Sequence, residues 1–318
     1  MKDQNPPTNL SLSVSKTCPI VVVSCLRDMK LLELQAYSIN QWLNDPHDIY
    51  IIVNEDELID QWNEYFDTHC RKYYHPKHNL TILYKNEFDC HWRKRVDEGY
   101  LHNGWDNQQI LKLAISQKLN SHCYLVLDSK DFLIKLWSTN NYSLDDKIPG
   151  RKNLYSMNTA TWVEYSKALS LPVDLPTRPV MTIATPVYLK SDLVQSLISN
   201  FGGLKDFSFW FLDQDCSLSE FVLYYLWAEK NGGYDSFHND VGSVNPWNGP
   251  MMRLARKKIR KNQKFSFFIN HISNKKNEAW LSITHESWSL MNPDELKMLS
   301  QYLKNYKIDT NLIKKLTT

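Results

Sequence analysis

The sequence lacks any apolar run close to the about 20 residues that cross a lipid bilayer. Residues 1–16 are polar, include Pro6 and Pro7, and have no apolar segment of the kind found in secretory signals. We therefore expect residues 1–17 to be a disordered lead-in and the protein to be cytoplasmic. Peripheral contact with the inner face of a membrane stays open.

Paired cysteines and a strong excess of charge are also lacking. The six cysteines are scattered and none forms a CxxC pair, which fits a reducing compartment better than a disulfide scaffold. The formal net charge is only +2, so no overall field favours binding to nucleic acid. We expect no nucleic-acid partner.

Glycine-rich phosphate loops are missing as well. The chain has no GxGxxG segment after its first apolar run and no GxxxxGK[ST] segment anywhere. Since such loops let the backbone approach phosphate groups closely, their absence excludes the usual dinucleotide-binding and P-loop enzymes.

The sequence does contain enough apolar material for one large domain. Its 318 residues are 42% hydrophobic and 23% charged, which is ordinary for a globular protein, but 11 Trp and 17 Tyr are many. Flat rings with a polar group suit stacking on sugars, although most such residues fill cores.

Strand and helix patterns alternate in the first half of the chain. This alternation indicates an α/β fold, with a mostly parallel sheet and helices on its faces. Ligands of such sheets bind beyond the carboxyl ends of the strands, here at residues 24–26 and 54–56. The predicted strands are 19–24, 48–53, 80–84 and 123–128, and the predicted helices are 28–42, 57–72 and 106–119.

The second half is less regular. Residues 138–178 are rich in Asn, Ser, Pro and Lys, which predicts loops and short elements that cover the edge of the sheet. Ser217 and Glu220 have the spacing of a capping box at a helix start. The cationic stretch 253–264 fits either the solvated face of a helix or a surface for a phospholipid headgroup or charged glycan. Further strands are predicted at 180–186, 265–269 and 280–285, and helices at 190–200, 220–230 and 293–306.

A set of short motifs is spread over residues 18–290. The most specific is Gln108-Gln-x-x-Lys-Leu113, followed by a strand that ends in Leu127-Asp128. The others are the VVVS strand with Asp28, Thr185-Pro186, Ser219-Glu-Phe-x-x-Tyr224 and Ile283-Thr-His285. Together these motifs resemble a family of bacterial GT-A-like glycosyltransferases of the surface-polysaccharide type.

The resemblance implies a Rossmann-related GT-A sheet within a single large domain. Residues 18–137 would be the nucleotide-sugar-binding half, 138–290 the α-rich acceptor-binding and catalytic half, and 291–318 a C-terminal helix with a basic tail. The implied reaction moves a sugar from a nucleotide-activated donor to a glycan or lipid-linked acceptor.

Binding of the donor nucleotide is assigned to the ends of the first two strands. Ser24, Cys25, Leu26, Asn54 and Glu55 would hold the base and the ribose, because a carboxylate can accept hydrogen bonds from ribose hydroxyls. In the alternative interpretation, Glu55 merely caps the helix that follows.

One helix face offers contacts to the donor sugar and phosphate. Lys112 comes one turn after Gln108 and Gln109, so the three side chains can share this face. The amides would then bind sugar hydroxyls and the ammonium a phosphate group. Otherwise they are polar surface residues.

GT-A enzymes usually hold a divalent metal, Mn²⁺ or Mg²⁺, on a DxD motif and a distant histidine. Here Asp128 is present, but Lys130 occupies the position of the second acid and Asp131 follows it. We favour a metal held by Asp128 and Asp131 with His285. In the alternative, the Lys130 ammonium neutralises the phosphate and no metal is needed.

An inverting transfer needs a carboxylate that takes the proton of the acceptor hydroxyl. Glu220 and Asp213 are the candidates, with Asp215 nearby, because the resemblance puts the catalytic acid in this region. Glu220 has the rival role of the capping-box acid. The aromatic residues 209–211 precede Asp213 and can stack on an acceptor sugar.

Two other functions stay open. A nucleotidyltransferase shares the acid at a strand end, but its first loop is usually glycine-rich, whereas residues 24–28 include Arg27 and no glycine. A catalytically inactive GT-A-like module that binds glycans is the second, and Lys130 in place of an acid favours it.

Overall fold

The computed structural model describes most of the first half of the chain and selected segments of the second half. The expected lead-in 1–17 and the cationic stretch 253–264 lie outside the described residues, and the predicted helix 293–306 lies almost wholly outside them. Described are residues 18–74, 76–93, 103–133, 136–137, 147–150, 152–153, 159–172, 180–181, 185–213, 219–240, 267–271, 278–283, 297, 300, 304, 307 and 311.

Strands and helices alternate along the described first half, as the sequence predicts. The strands are β1 Ile20–Ser24, β2 Asp48–Val53, β3 Asn79–Tyr84, β4 Cys123–Asp128, β5 Asp131–Leu133, β6 Ile148–Gly150, β7 Lys152–Asn153, β8 Val180–Met181, β9 Val187–Lys190, β10 His238–Asp240, β11 Phe267–His271 and β12 Glu278–Ile283. The helices are α1 Met29–Trp42, α2 Ile59–Tyr65, α3 Asn103–Ala114, α4 Thr159–Ala168, α5 Ser191–Asn200, α6 Leu204–Leu212, α7 Glu220–Lys230 and α8 Tyr234–Phe237.

The central sheet has the order β3-β2-β1-β4-β9. The pairings among β3, β2, β1 and β4 are parallel, and β9 pairs antiparallel with β4 at the edge. The predicted α/β fold, a mostly parallel sheet flanked by helices, is confirmed.

The two faces of β1 divide the core. Successive side chains of a strand point to opposite faces, and Val21 and Val23 pack on one side while Ile20 and Val22 pack on the other. Helices α3, α5 and α7 cover the first side, and α1 and α2 cover the second. Burial on both faces explains why the strands are continuous apolar runs rather than alternating ones.

Helix α7 is buried on every side from Glu220 to Ala228. Its rings, Phe221, Tyr224 and Trp227 among them, lie in the core. Much of the aromatic excess of the sequence therefore packs the interior.

No helix in the described part of the chain combines the length and apolar character that crossing a bilayer requires.

Three strand predictions in the second half need correction. Of the predicted strand 180–186, Val180–Met181 pairs with β7, while the fifth strand of the central sheet is β9. The predicted strands near the C-terminus lie at Phe267–His271 and Glu278–Ile283. They join β5 in a separate antiparallel sheet because β5 follows β4 after a two-residue turn and leaves the central sheet.

The predicted capping box before α7 is wrong. The helix begins at Glu220 with Ser219 at its N-cap and no side-chain capping hydrogen bond, and Ser217 lies outside the described residues. The Glu220 carboxylate forms an ion pair elsewhere, described below. The predicted helix 57–72 is helical from Ile59 to Tyr73, but only Ile59–Tyr65 is α-helix; it continues as a π-helical segment, Phe66–Cys70, and a 3-10 turn, Arg71–Tyr73.

A buried histidine ties α7 to two short strands. His238 has Nε2 2.8 Å from Tyr224 Oη and Nδ1 3.3 Å from Pro149 O. Its ring stacks on that of Tyr234 with 4.1 Å between the centroids. Burial, which disfavours the imidazolium ion, lowers the pKa of His238 to about 3.

We expect His238 to make the fold sensitive to acid. In the unfolded chain its pKa returns to about 6.5, so below that pH the unfolded state binds a proton that the folded state excludes. The free energy of unfolding should fall as the pH drops toward 3, by at most about 1.4 kcal/mol per pH unit from this group.

His238→Gln removes this contribution. The variant should be less stable than wild type at about pH 7.5, and urea denaturation should show the difference shrinking toward about pH 4.5. A difference that stays constant across this range would contradict the buried neutral histidine.

Candidate functional site

The order of the sheet decides which strand ends meet. Strands β2 and β3 follow one another on one side of β1, and β4 pairs with β1 on the other side. Val23 pairs with Asp128, and the Ser129 hydroxyl donates to Val23 O over 3.4 Å. The ends of β1 and β4 thus adjoin where the strand order reverses, which is where open α/β sheets bind ligands.

Asp128, the last residue of β4, accepts four side-chain hydrogen bonds. Its Oδ1 accepts from Lys112 Nζ at 2.9 Å and from Gln108 Nε2 at 3.3 Å. Its Oδ2 accepts from Lys130 Nζ at 2.6 Å and from Thr185 Oγ1 at 3.0 Å. Burial alone would raise the pKa of Asp128, but the two ammonium groups outweigh it and hold that pKa well below its usual range.

Lys112 joins Asp128 to a second buried carboxylate. Its Nζ lies 3.1 Å from Glu220 Oε1. Burial opposes charge on Lys112, but Asp128 and Glu220 outweigh it and raise the Lys112 pKa. The side-chain amide of Gln109, oriented with its nitrogen toward Glu220, donates to the Glu220 carboxylate. Glu220, Lys112, Asp128 and Lys130 form a row of alternating charges, here called the charge chain.

The charge chain runs from the core to the surface. Side-chain exposure rises from 1% at Glu220 and 4% at Lys112 to 15% at Asp128 and 30% at Lys130. Its innermost charge is therefore a carboxylate and its outermost an ammonium.

A glutamine on α1 holds the turn after β4. Gln35 Nε2 donates to Asp128 O at 2.8 Å and to Asp131 O at 2.6 Å. Asp131 Oδ2 accepts from Asp128 N at 2.9 Å and closes the turn from within. Sequence reasoning missed Gln35. The available signal was a polar residue on the apolar face of α1, three residues after Leu32 and four before Ile39.

The loops after β1 and β2 are joined by hydrogen bonds. Glu55 Oε1 accepts from Leu26 N at 2.7 Å, and Asn54 Nδ2 donates to Gly104 O at 2.8 Å at the start of α3. Glu55 therefore shapes the loop after β1, a role that neither sequence interpretation included.

Ser24 and Cys25 engage their side chains within the protein. Ser24 Oγ lies 4.0 Å from Met29 Sδ, and Cys25 Sγ donates to Asp28 Oδ2 at 3.5 Å. Burial raises the pKa of the Cys25 thiol to about 12, so it stays protonated at neutral pH. Their carbonyl groups are engaged as well, since Ser24 O accepts from Asn54 N at 2.8 Å and Cys25 O accepts from Asp28 N at 3.0 Å.

A family model matches nearly the whole chain. It is that of DUF6492, a family of unknown function, and it covers residues 16–306. The chain belongs to this family. No curated protein matches the sequence.

Solved structures resemble this DUF6492 protein only distantly. The glycosyltransferase GlyE of Streptococcus pneumoniae TIGR4 matches with a TM-score of 0.43 and 11% identity over 94% of this chain and 62% of GlyE. Mouse xyloside xylosyltransferase 1 matches with a TM-score of 0.40 and 6% identity over 70% of this chain and 84% of its own. The bifunctional glycosyltransferase WbbM matches with a TM-score of 0.40 and 10% identity over 70% of this chain and 38% of WbbM. The chain spans less than two thirds of WbbM and of GlyE, and likenesses this distant decide neither fold nor function.

The surroundings of Asp128 in the DUF6492 protein do not fit the metal site that the sequence favoured. Each Asp128 oxygen already accepts from an ammonium group, and Asp131 directs a carboxylate oxygen to Asp128 N. Unit charges about 4 Å apart interact by about 4 kcal/mol at an effective dielectric constant of about 20, and a divalent cation would meet about twice that repulsion from each ammonium. Among the residues that the structure describes, no group of three or more His, Cys, Asp or Glu can hold a metal ion. His285 lies outside them.

Two other residues with expected roles at the site, Glu220 and Lys112, lie in the interior. The Glu220 side chain is 1% exposed, and its carboxylate is paired with Lys112 in the interior. The Lys112 side chain is 4% exposed, and its ammonium lies between the carboxylates of Asp128 and Glu220. Lys112 is bonded directly to Asp128 on its buried side, Glu220 is bonded to Lys112, and Gln109 donates to Glu220.

Asp213 is exposed, directly after α6. Arg93 connects this end of α6 to the start of α3, where its guanidinium donates to Asp106 Oδ2 at 3.0 Å and to Leu212 O. Asp213 therefore lies beside the N-terminal end of the helix that carries Gln108. Asp215 is outside the described residues.

Lys112→Met should destabilise this DUF6492 protein strongly. The substitution strands the Asp128 and Glu220 carboxylates in the interior, and breaking a buried ion pair costs about 3–5 kcal/mol of the free energy of unfolding. Urea denaturation at neutral pH measures the loss. The exposed Lys30→Met on α1 is the control and should change the value by about 0.5 kcal/mol or less.

The double variant Lys112→Met with Glu220→Gln should recover part of the loss, because it removes one of the two unpaired carboxylates. If Lys112→Met cost no more than Lys30→Met, the buried ion pairs of the charge chain would be disproved.

Proposed function

We propose that this protein is a glycosyltransferase with a GT-A-like fold that moves a sugar from a nucleotide-activated donor to a glycan or lipid-linked acceptor. The observation that carries the proposal is the Lys130 ammonium at the outer end of the charge chain, where the strand order of the sheet reverses. Nucleotides bind at such points, and an ammonium held there suits a phosphate group. The motifs that resemble glycosyltransferases, at 108–113 and 127–128, include Gln108, Lys112 and Asp128 of the site.

The proposed donor contacts are the loops after β1 and β2. The backbone of residues 24–26 and the side chain of Asn54 would hold the base and ribose. Glu55 holds the loop after β1 in place for this contact through its hydrogen bond from Leu26 N. Gln108, which donates to Asp128 at 3.3 Å, is the proposed contact for the donor sugar.

Asp213 is the proposed general base. It lies one helical turn from Phe209, whose side chain is 60% exposed and meets the His91 ring edge-on at 5.4 Å. An exposed ring beside a carboxylate suits a sugar acceptor, since sugars stack on aromatic faces. We propose a surface polysaccharide or its lipid-linked precursor as acceptor, reached in the cytoplasm at the inner face of a membrane.

A second candidate is a catalytically inactive module that binds glycans. It is favoured by one observation: Asp128 and Glu220 both have lysine partners, so neither carboxylate is free for chemistry. Of the two residues named as catalytic bases, Glu220 and Asp213, only Asp213 then remains to act as base.

Turnover of nucleotide sugars tests the proposal. Purified protein is incubated with UDP-, GDP-, dTDP- and CMP-sugars with Mn²⁺ or Mg²⁺, and release of the nucleotide is followed. We expect one donor class to be consumed. Asp213→Asn should lower kcat about 100-fold or more and leave donor Kd unchanged, because a general base contributes about 10²–10⁴-fold.

Asp206→Asn, at the exposed opposite end of α6, is the matched control and should retain wild-type kcat. Binding of a nucleotide sugar without turnover of any donor would support the inactive module instead. If no nucleotide sugar were bound or consumed, the proposed function would be wrong.

A further inference from the structure

Lys130 is the member of the charge chain that a ligand can reach. Its side chain is 30% exposed, against 15% for Asp128 and 4% for Lys112. Among the described residues, Asp128 is the side chain bonded to its Nζ, at 2.6 Å. An ammonium has three N–H donors, so two remain for a ligand.

The surroundings of Lys130 keep it charged and in place. Burial opposes the ammonium, but Asp128 and Asp131 outweigh both burial and the neighbouring Lys112, and the pKa of Lys130 rises. Gln35 holds the turn through the carbonyl oxygens of Asp128 and Asp131. The ammonium is therefore positioned before any ligand arrives.

Each oxygen of Asp128 already accepts from two donors, so the about four lone-pair sites of the carboxylate are in use and none is left for a divalent cation. Such a cation could bind only after Lys130 had left its 2.6 Å contact. A phosphate group needs no such displacement, because it can approach the N–H donors that Lys130 directs away from Asp128.

We propose that the Lys130 ammonium takes the place of a divalent cation at this site and binds the diphosphate of the donor without metal. A positioned ammonium supplies positive charge and directed hydrogen bonds to phosphate oxygens. The inference rests on the proposed function for one point, that the ligand is a nucleoside diphosphate or its sugar ester.

Calorimetric titration of the full chain with UDP, GDP and dTDP tests the proposal, with inorganic pyrophosphate as the probe for the phosphate contact alone. We expect the wild-type Kd to be the same with excess EDTA as with Mn²⁺ or Mg²⁺. Lys130→Met should weaken binding of the diphosphate by about 10- to 100-fold, as expected for a hydrogen bond to a charged group. Lys130→Arg should retain most of the affinity.

Lys205→Met, an exposed lysine on α6, is the matched control and should bind like wild type. The comparison of EDTA with metal uses wild-type protein, so it decides the question even if Lys130→Met does not fold. Binding that requires metal, or that is unchanged in Lys130→Met, would overturn the role of Lys130, and the proposed function would then rest on turnover of a nucleotide sugar alone. Absence of binding under every condition would count against both.

Discussion

The site depends on the pairing of the ionised Asp128 carboxylate with the groups around it. A charge that is mostly removed from water is stable only when it is paired and fully hydrogen-bonded. The fold meets this requirement by bringing α3, the turn after β4 and Thr185 to one point, where two ammonium groups, an amide and a hydroxyl surround the carboxylate. Glu220 on α7 balances the inner ammonium. The geometry of the site therefore follows from neutralising one carboxylate at the end of a central strand.

The central sheet could be predicted because its signal is local. A strand buried on both faces is a continuous apolar run, so the expected strand 19–24 is found as Ile20–Ser24 and the expected 123–128 as Cys123–Asp128. The strands of the second half were harder to predict, because the sheet that a short strand joins depends on which other strand it pairs with. Val180–Met181 and Val187–Lys190 are similar in sequence character, but only the second has the open edge of β4 beside it.

The site was predictable in position and not in its partners. Asp128 and Lys130 follow an apolar strand, and that local pattern points to the edge of the sheet where they lie. The partner of Lys112 is Glu220, far along the chain, and no local pattern indicates that a helix-start acid will enter the core. Gln35 on α1 donates to carbonyl groups at the end of β4 and the start of β5. Long-range ion pairs and backbone contacts of this kind depend on the assembled core.

The charge chain also limits how the family can diverge. Replacing any one of its four members leaves an unbalanced charge next to the core, where it is costly. A neutral residue at position 112 becomes tolerable once position 128 or 220 has lost its charge. If position 128 or 220 loses its charge first, the Lys112 ammonium is left unbalanced and the protein is destabilised in the same way. Exchanges at positions 112, 128, 130 and 220 are thus expected to accumulate in compensating pairs during evolution, which links segments of the chain that share no sequence neighbourhood.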